Sequence, residues 1–242
     1  MLGGNVHVDG REQGRLAELQ DDNESQFVEE DVVVKLFRVW RNERASPELL
    51  PAPLALITDI VELLRHQSDT ISSHKSTRVA QSTVHAITDC LQQMDLERVK
   101  FALKSLLRAR LGKIERNWAS FQEVWNPEHA AALRALLSPA EKEYLDSFAS
   151  NLLSCLNESV LSKVPSELAS LQDPEMLADG AAPIACAPQL SAHVICRVRR
   201  SIGEIVLDPV TRATASLDQN DVFVLQYQVI RDYIAAGDVE LI

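Results

Sequence analysis

Hydrophobic residues recur every three or four positions along the first two thirds of this 242-residue chain, which is the spacing of one face of an α-helix. The pattern predicts four main helices, which begin near Asp31, Pro53, Thr83 and Ser138. The Ser138–Glu141 segment is a strong helix start, with Ser as the N-cap, Pro at the first position and Glu at the third. Ser46-Pro47 has the same order of cap and proline and predicts a further start. Residues 67–82 are rich in Ser and Thr and fit either a loop or a polar extension of the second helix.

The third predicted helix, from Thr83 to Trp118, is unusually long and spans roughly 50 Å at about 1.5 Å per residue. Its apolar stripe favours a core position: Leu96, Val99, Leu103, Leu107, Leu111, Ile114 and Trp118. Phe101 projects nearly opposite this stripe, whereas Arg110 projects almost into it. A compact domain of about 150 residues is only roughly 40 Å across, so we expect more than one surface of this helix to be covered. A break at Gly112 would shorten it.

Positive charge is concentrated on the same helix. Seven Lys or Arg and one acid lie between Arg98 and Arg116, although the whole chain has a formal charge of −11. Such a segment is either a solvated face or a docking surface. Its charges point in all directions around the helix axis, so pairing with acids on neighbouring helices fits them better than one strip facing DNA. Four helices over residues 31–165 predict a helical bundle.

The periodicity changes after residues 166–189, a stretch with several prolines and alanines that predicts a linker. From residue 190 onward, apolar and polar positions alternate as in β-strands. The predicted elements are strands over 193–199, 204–207 and 222–227, a helix over 229–236, and a terminal strand ending in Leu241 and Ile242. The fold class is therefore α+β, an N-terminal all-α helical bundle followed by a small C-terminal β-rich domain over 190–242. A domain this small has a marginal core, so we expect it to lean on another surface.

Residues 1–30 predict a disordered acidic tail. Nine acids and two arginines lie between Met1 and Asp31, so most of the net negative charge is there. Leu16 and Leu19 form a short apolar spot within it, which is typical of segments that fold onto a partner. A solvating tail without a target fits the same composition.

Motifs for catalysis, cofactor binding or metal binding are missing from the sequence. It contains no phosphate-binding glycine loop, GxSxG or HExxH, and its four cysteines and six histidines lack metal-ligand spacing. We therefore expect neither an enzyme nor a cofactor. No apolar run reaches the roughly 18 residues of a membrane span, and no secretory signal is evident, so we expect a chain of the cytosol or nucleus.

Several stretches resemble the Sld5-type subunit family of the GINS complex. Residues 40–50 are similar to the family's W-x-N-E-x-x-x-P-E-L-L segment. Residues 94–99 and 107–115 are similar to its M-x-x-E-R-[IV] and L-R-x-R-L-x-K-I-E helix, and residues 137–141 to its L-S-P-x-E helix start. Arg197-Val198-Arg199 and the final Leu241-Ile242 lie where the family has R-V-R and L-I. The resemblance covers residues 31–242 in order.

This resemblance implies a structural subunit without catalysis, assembled with three other GINS subunits. It also implies that the assembly joins the MCM hexamer and a RecJ-like partner in the nucleus, to form the replicative DNA helicase in initiation and elongation. We expect Phe101, Arg98 and Arg108 to face a sister subunit, Arg110 to be paired near the seam of the bundle, and the terminal strand to close the C-terminal domain. The predicted partner-interface residues are thus Arg98, Phe101, Arg108, Arg110, Leu241 and Ile242.

Two other functions remain open from the sequence. A generic helical adaptor would form no specific four-part assembly. Direct binding of single-stranded DNA through residues 98–116 would give an affinity that falls steeply with salt. In the acidic tail, Leu16 and Leu19 are the residues that we expect to anchor contact with a replisome factor.

Overall fold

The computed structural model describes residues 30–77, 83–122, 127–165, 188–208 and 213–242. The helices are α1 (Val32–Ala45), α2 (Leu54–Thr77), α3 (Thr83–Arg116), α4 (Pro127–Ala135), α5 (Pro139–Ser159) and α6 (Tyr227–Ala236). The strands are β1 (His193–Val198), β2 (Gly203–Asp208), β3 (Ala213–Leu217), β4 (Val222–Gln226) and β5 (Val239–Leu241). This order confirms the predicted fold class, a helical bundle followed by a small β-rich domain.

The long helix α3 is continuous, and Gly112 does not break it. Its first half packs against α1 and α2 through one apolar cluster, which includes Leu36, Ile60, Ala102 and Leu106. Its second half contributes Ile114 to another cluster, which also holds Leu49, Phe121, Leu137 and Leu145. The predicted stripe is therefore correct at its two ends but not at Leu107, which is exposed, while Ala102 and Leu106 are completely buried.

Other helix boundaries differ from the sequence prediction. Helix α2 extends to Thr77. Of the two structures that the sequence allowed for residues 67–82, residues 67–77 therefore form the polar extension of the helix and not a loop. No helix begins at Ser46-Pro47. Residues 46–53 are non-helical, and α2 begins only at Leu54. Pro51 and Pro53 disfavour helical backbone at the residue before each of them. A short helix, α4, which was not among the four predicted main helices, lies between α3 and α5 and buries Ala130.

The C-terminal domain consists of an antiparallel three-stranded sheet in the order β4-β1-β5 and a β2-β3 hairpin. Strand β1 buries Val194, Cys196 and Val198 on one side, which agrees with the alternation of apolar and polar positions predicted from residue 190 onward. Helix α6 covers this core and ends at Gly237, whose φ of 83° suits glycine. Strand β3 was not predicted from the sequence, because its small and polar residues, ATASL, have a weak strand pattern.

The C-terminal domain packs on the helical bundle, which confirms the expectation that it leans on another surface. Arg231 donates two hydrogen bonds of 2.7 Å to the carboxylate of Glu48, and the Tyr227 hydroxyl donates a third, also of 2.7 Å, to Glu48 Oε1. Ser46 Oγ donates to the carbonyl oxygen of Glu48 at 2.8 Å and lies 3.2 Å from the Tyr227 hydroxyl oxygen. The backbone N–H of Leu241 donates to Asn42 Oδ1 at 2.8 Å. Ser46 is thus a docking residue rather than a helix cap.

Candidate partner-binding surface on α3

Helix α3 carries a row of exposed apolar side chains beside its buried face. The five apolar members of this row are 56–71% exposed. Together with Arg98 they recur at alternating intervals of three and four residues, which is the spacing of a coiled-coil seam. We call this row the α3 seam; its residues are Val84, Ile87, Leu91, Met94, Arg98 and Phe101. A row of exposed apolar residues this long is typical of an interaction surface.

From Ala86 to Phe101 the α3 seam borders a groove that Phe37 of α1 also lines, with a volume of about 840 Å³. The Phe101 ring meets Trp40 edge-on, with ring centroids 6.2 Å apart, and Trp40 meets Phe37 in the same way at 6.0 Å. The guanidinium of Arg44 lies 5.1 Å from the centroid of the Trp40 ring. These contacts hold one side of Phe101 in place, while 62% of the residue remains exposed.

The basic residues of α3 divide into an exposed group and a buried group. Arg98 lies 3.6 Å from Asp95, but both side chains are about three-quarters exposed (74% and 76%), so this ion pair is weak. Arg108 is also exposed and continues the seam, seven residues after Phe101. Arg110 and Lys113, in contrast, are buried inside the bundle.

Arg110 is 0% exposed, and acceptors surround its guanidinium. Its Nε and Nη2 donate to the two carboxylate oxygens of Glu141 at 2.7 and 3.1 Å, and its Nη1 donates to Glu43 Oε2 at 3.0 Å. Nη1 also donates to the carbonyl oxygen of Leu50, and Nη2 to that of Leu136. The pairing of Arg110 near the bundle seam is therefore as expected. Its prediction as a partner-interface residue is corrected, because the chain's own residues enclose it.

Lys113 lies one turn after Arg110 and shares its partner. Its Nζ donates to Glu43 Oε1 at 2.7 Å and to the carbonyl oxygens of Glu43 and Glu48. We call Arg110, Lys113, Glu43 and Glu141 the Arg110 network. The burial of Lys113, Glu43 and Glu141 was not predicted from the sequence. For Lys113 it could have been, because Lys113 follows Arg110 by three residues on a helix and so lies on the same face.

Pairing between opposite charges stabilises the ionised forms of the buried side chains in the Arg110 network. Burial opposes the Arg110 cation, but hydrogen bonding to Glu141 and the charge of Glu43 outweigh burial and raise the pKa of Arg110. Burial also opposes the Glu141 carboxylate, but its hydrogen bonds with Arg110 and Ser138 lower its pKa. At Lys113 burial outweighs the attraction of Glu43, and the pKa of Lys113 is lowered. Two cations balance two carboxylates.

The two terminal residues have different surroundings. Leu241 is completely buried in the C-terminal core, so its prediction as a partner-interface residue is corrected. Ile242 is half-exposed, and its N–H donates to the carbonyl oxygen of Ile195 at 3.1 Å. Leu16 and Leu19 lie outside the described residues. The interface role of Arg98, Phe101, Arg108 and Ile242 stays a prediction.

Among the residues that the structure describes, no three His, Cys, Asp or Glu residues are grouped to hold a metal ion. None of the described helices is both long and apolar enough to cross a membrane.

Two family models match the chain. The model of the GINS complex protein helical bundle domain matches residues 58–160, and the model of the DNA replication complex GINS protein SLD5 C-terminus matches residues 188–242. The curated DNA replication complex GINS protein sld5 of Schizosaccharomyces pombe is 30% identical over 203 residues, which cover 84% of this chain and 88% of the relative. The chain belongs to the SLD5 family of GINS complex proteins.

Other SLD5 relatives come from a plant and an animal. The Arabidopsis thaliana protein is 29% identical over 210 residues, covering 86% of this chain and 89% of its own. The human protein is 28% identical over 218 residues, covering 88% and 89% respectively. The helical-bundle model includes all of α3 and hence the whole α3 seam, and the SLD5 C-terminal model includes every strand of the C-terminal domain. The family resemblance seen in the sequence is confirmed.

Proposed function

We propose that this SLD5 family member is a non-catalytic structural subunit of a heterotetrameric GINS complex. It assembles with three other GINS subunits, and through that assembly it acts with the MCM hexamer and its RecJ-like partner in the replicative DNA helicase. Its place of action is the nucleus, during initiation and elongation of DNA replication. Membership of the SLD5 family supports the replication role, and the curated relatives are named as DNA replication complex GINS proteins.

The observation that carries this proposal is the α3 seam. Five large apolar side chains on one helix are more than half exposed, which costs free energy in a chain that works alone. A subunit of a permanent complex covers such a surface with another chain. Phe101, Arg98 and Arg108, the residues expected to face a sister subunit, all lie on this seam or its continuation.

The buried part of α3 weighs against the alternative of direct DNA binding. Arg110 and Lys113 supply two of the seven positive charges between Arg98 and Arg116, and both are neutralised inside the bundle. Lys100 lies 3.0 Å from Glu97, and Arg98 lies near Asp95. Fewer free cations are therefore available to phosphate than the sequence indicated.

The N-terminal tail adds a separate proposal. Its acidic composition and the apolar pair Leu16 and Leu19 support contact with a replisome factor. Deletion of residues 1–30 is expected to remove that factor from pull-downs of the assembled complex. Recovery of the same replisome factors with and without the tail would refute the contact.

Co-expression tests the main proposal. We would produce the chain with the three other GINS subunits from the same source and weigh the purified particle by native mass spectrometry, with the three subunits alone as the control. The expected result is a particle with one copy of each subunit. A monomeric chain beside folded partners would contradict the proposal. Single-stranded DNA binding across a salt series would then test the alternative.

A further inference from the structure

We propose that the α3 seam binds an α-helix of another chain, and that this helix presents a carboxylate to Arg98. The inference rests on the proposed function and deepens it, because it states the chemistry of the partner surface. Side chains that repeat every 3.5 residues along a helix fill the holes on a second helix with the same repeat. The seam from Val84 to Phe101 spans roughly 26 Å at about 1.5 Å per residue, enough for five helical turns. The occupant is therefore a helix with apolar residues at intervals of three and four.

The charge in the seam specifies the occupant further. Arg98 is the one ionic residue among the six seam positions, and Asp95 holds it only weakly at 3.6 Å. A helix laid over the seam removes the Arg98 guanidinium from water, which is costly unless a carboxylate pairs with it. Arg108 continues the row ten residues further on, at roughly 15 Å. The partner helix therefore carries an Asp or Glu opposite Arg98 and a second one about three turns away, opposite Arg108.

The groove beside Phe101 fixes where the helix lies. Phe37, Met94 and Phe101 belong to its apolar lining, and Asp89, Glu97 and Arg98 to its charged lining. Its volume of about 840 Å³ accepts a large apolar side chain. The aromatic contacts of Phe101 with Trp40 are already formed, so binding needs little rearrangement of this wall. We expect a Leu, Met or aromatic residue of the partner helix to enter the groove.

Charge substitutions on exposed residues test the seam in the four-subunit complex. Leu91→Glu places a carboxylate in the apolar row, and Arg98→Glu reverses the charge that selects the partner. Val206→Glu is the control for the first, since Val206 is 56% exposed in the C-terminal domain. Lys104→Glu makes the same charge change as Arg98→Glu, on an exposed face of α3 outside the seam. Circular dichroism of each purified variant verifies that the helices are retained, and Leu91→Ser replaces Leu91→Glu if needed.

Both seam variants are expected to weaken assembly on the order of tenfold or more, while the two controls assemble like the wild type. A photo-crosslinking amino acid at position 91 should attach to a helix of one sister subunit that has the predicted apolar spacing. Exchanging the acid of that helix for Arg should restore assembly with Arg98→Glu. Normal assembly of both seam variants would overturn this inference and leave the proposed function standing. Crosslinks to a strand or loop would overturn the helical occupant, and failure of the wild type to assemble would overturn the proposed function itself.

Discussion

At the scale of single residues, the surroundings of Arg110 explain how a charged residue can lie inside the bundle, where the helical pattern of the sequence places it. A guanidinium has five N–H donors. Five hydrogen bonds to two carboxylates and two backbone carbonyl groups match that number. Glu141 has two tasks, because its carboxylate also accepts from the backbone N–H of Ser138 in the capping box that begins α5. The start of one helix is thereby fixed to the middle of another.

Replacing Arg110 with Met should destabilise the isolated chain by about 3–5 kcal/mol, because Glu43 and Glu141 then keep buried charge without their shared partner. Arg134→Met is the matched control. It removes a surface pair with Asp146, at 2.9 Å, whose loss should cost less than about 1 kcal/mol. Urea denaturation measures both. Equal small losses would show that the Arg110 network contributes little.

The pH dependence of stability should change in Glu141→Gln. The folded-state pKa of Glu141 is lowered from its ordinary value of 4.5. Its charge therefore stabilises the fold above that value, and the contribution is lost as the pH falls through the folded-state pKa. The Gln side chain can still cap α5 but has no charge to titrate. The difference in free energy of unfolding between wild type and variant should thus shrink as the pH is lowered below 4.5.

Denaturation at a series of pH values tests this expectation, with Glu143→Gln as the control for an exposed carboxylate on the same helix. A constant difference between wild type and Glu141→Gln across the acid range would show that the Glu141 charge does not stabilise the fold.

At the scale of elements, α3 has two apolar faces with different neighbours. One face carries the core residues Ala102, Leu106 and Ile114, and the other carries the α3 seam. Two apolar faces blur the helical periodicity, which is why the sequence analysis found one stripe and treated Phe101 as an exception. Phe101 is in fact the last apolar residue of a second stripe, the α3 seam, which begins at Val84.

Gly112 lies inside α3, and a Cβ there would meet no atom within 4 Å other than those of its chain neighbours and of the nearby backbone of its own helix. Gly112→Ala should therefore stabilise the isolated chain by about 0.5–1 kcal/mol, because Ala loses less backbone freedom in a helix. Thermal unfolding measures the gain. Gly237→Ala is the opposite control and should destabilise, since Gly237 has a φ of 83°. A loss of stability in Gly112→Ala would contradict an unstrained, continuous α3.

At the scale of the whole molecule, the segment between α1 and α2 joins the bundle to the C-terminal domain. Lys113 and Arg110 bind its carbonyl groups at Glu48 and Leu50 from inside the bundle. On its other side, the Glu48 carboxylate binds Tyr227 and Arg231. The hydroxyl of Tyr227 is buried, and this burial raises its pKa. The Arg110 network therefore supports the docking of the C-terminal domain as well as the bundle.

Glu48→Gln should loosen this docking. The variant keeps its size but loses the charge that pairs with Arg231, and we expect a cost of about 1–2 kcal/mol, reduced because Arg231 is half-exposed. Hydrogen exchange should quicken at the backbone amides of α6 and β5. Glu97→Gln, a surface carboxylate paired with Lys100, is the control. Unchanged exchange in α6 and β5 would show that Glu48 does not hold the domain.

The elements with strong local patterns can be predicted from the amino-acid sequence alone. The length of α3, the start of α5 at Ser138 and the inward residues of β1 all follow from spacing and capping, which act over a few neighbouring residues. The motifs within residues 40–50, 94–115 and 137–141 indicated the family. Phe101 and Arg110 also stood out in the sequence, because Phe101 is an apolar residue outside the apolar stripe and Arg110 is a charged residue almost within it.

The tertiary structure decided what lies against each pattern. It turned Ser46 from a cap into a docking residue and enclosed Arg110 with acids from α1 and α5, contacts between residues far apart in the chain. It also separated the core face of α3 from the α3 seam. Both faces are apolar, so the hydrophobic pattern alone does not show which of them packs inside the chain. Only the positions of α1 and α2 determine which face the chain covers for itself and which it leaves exposed.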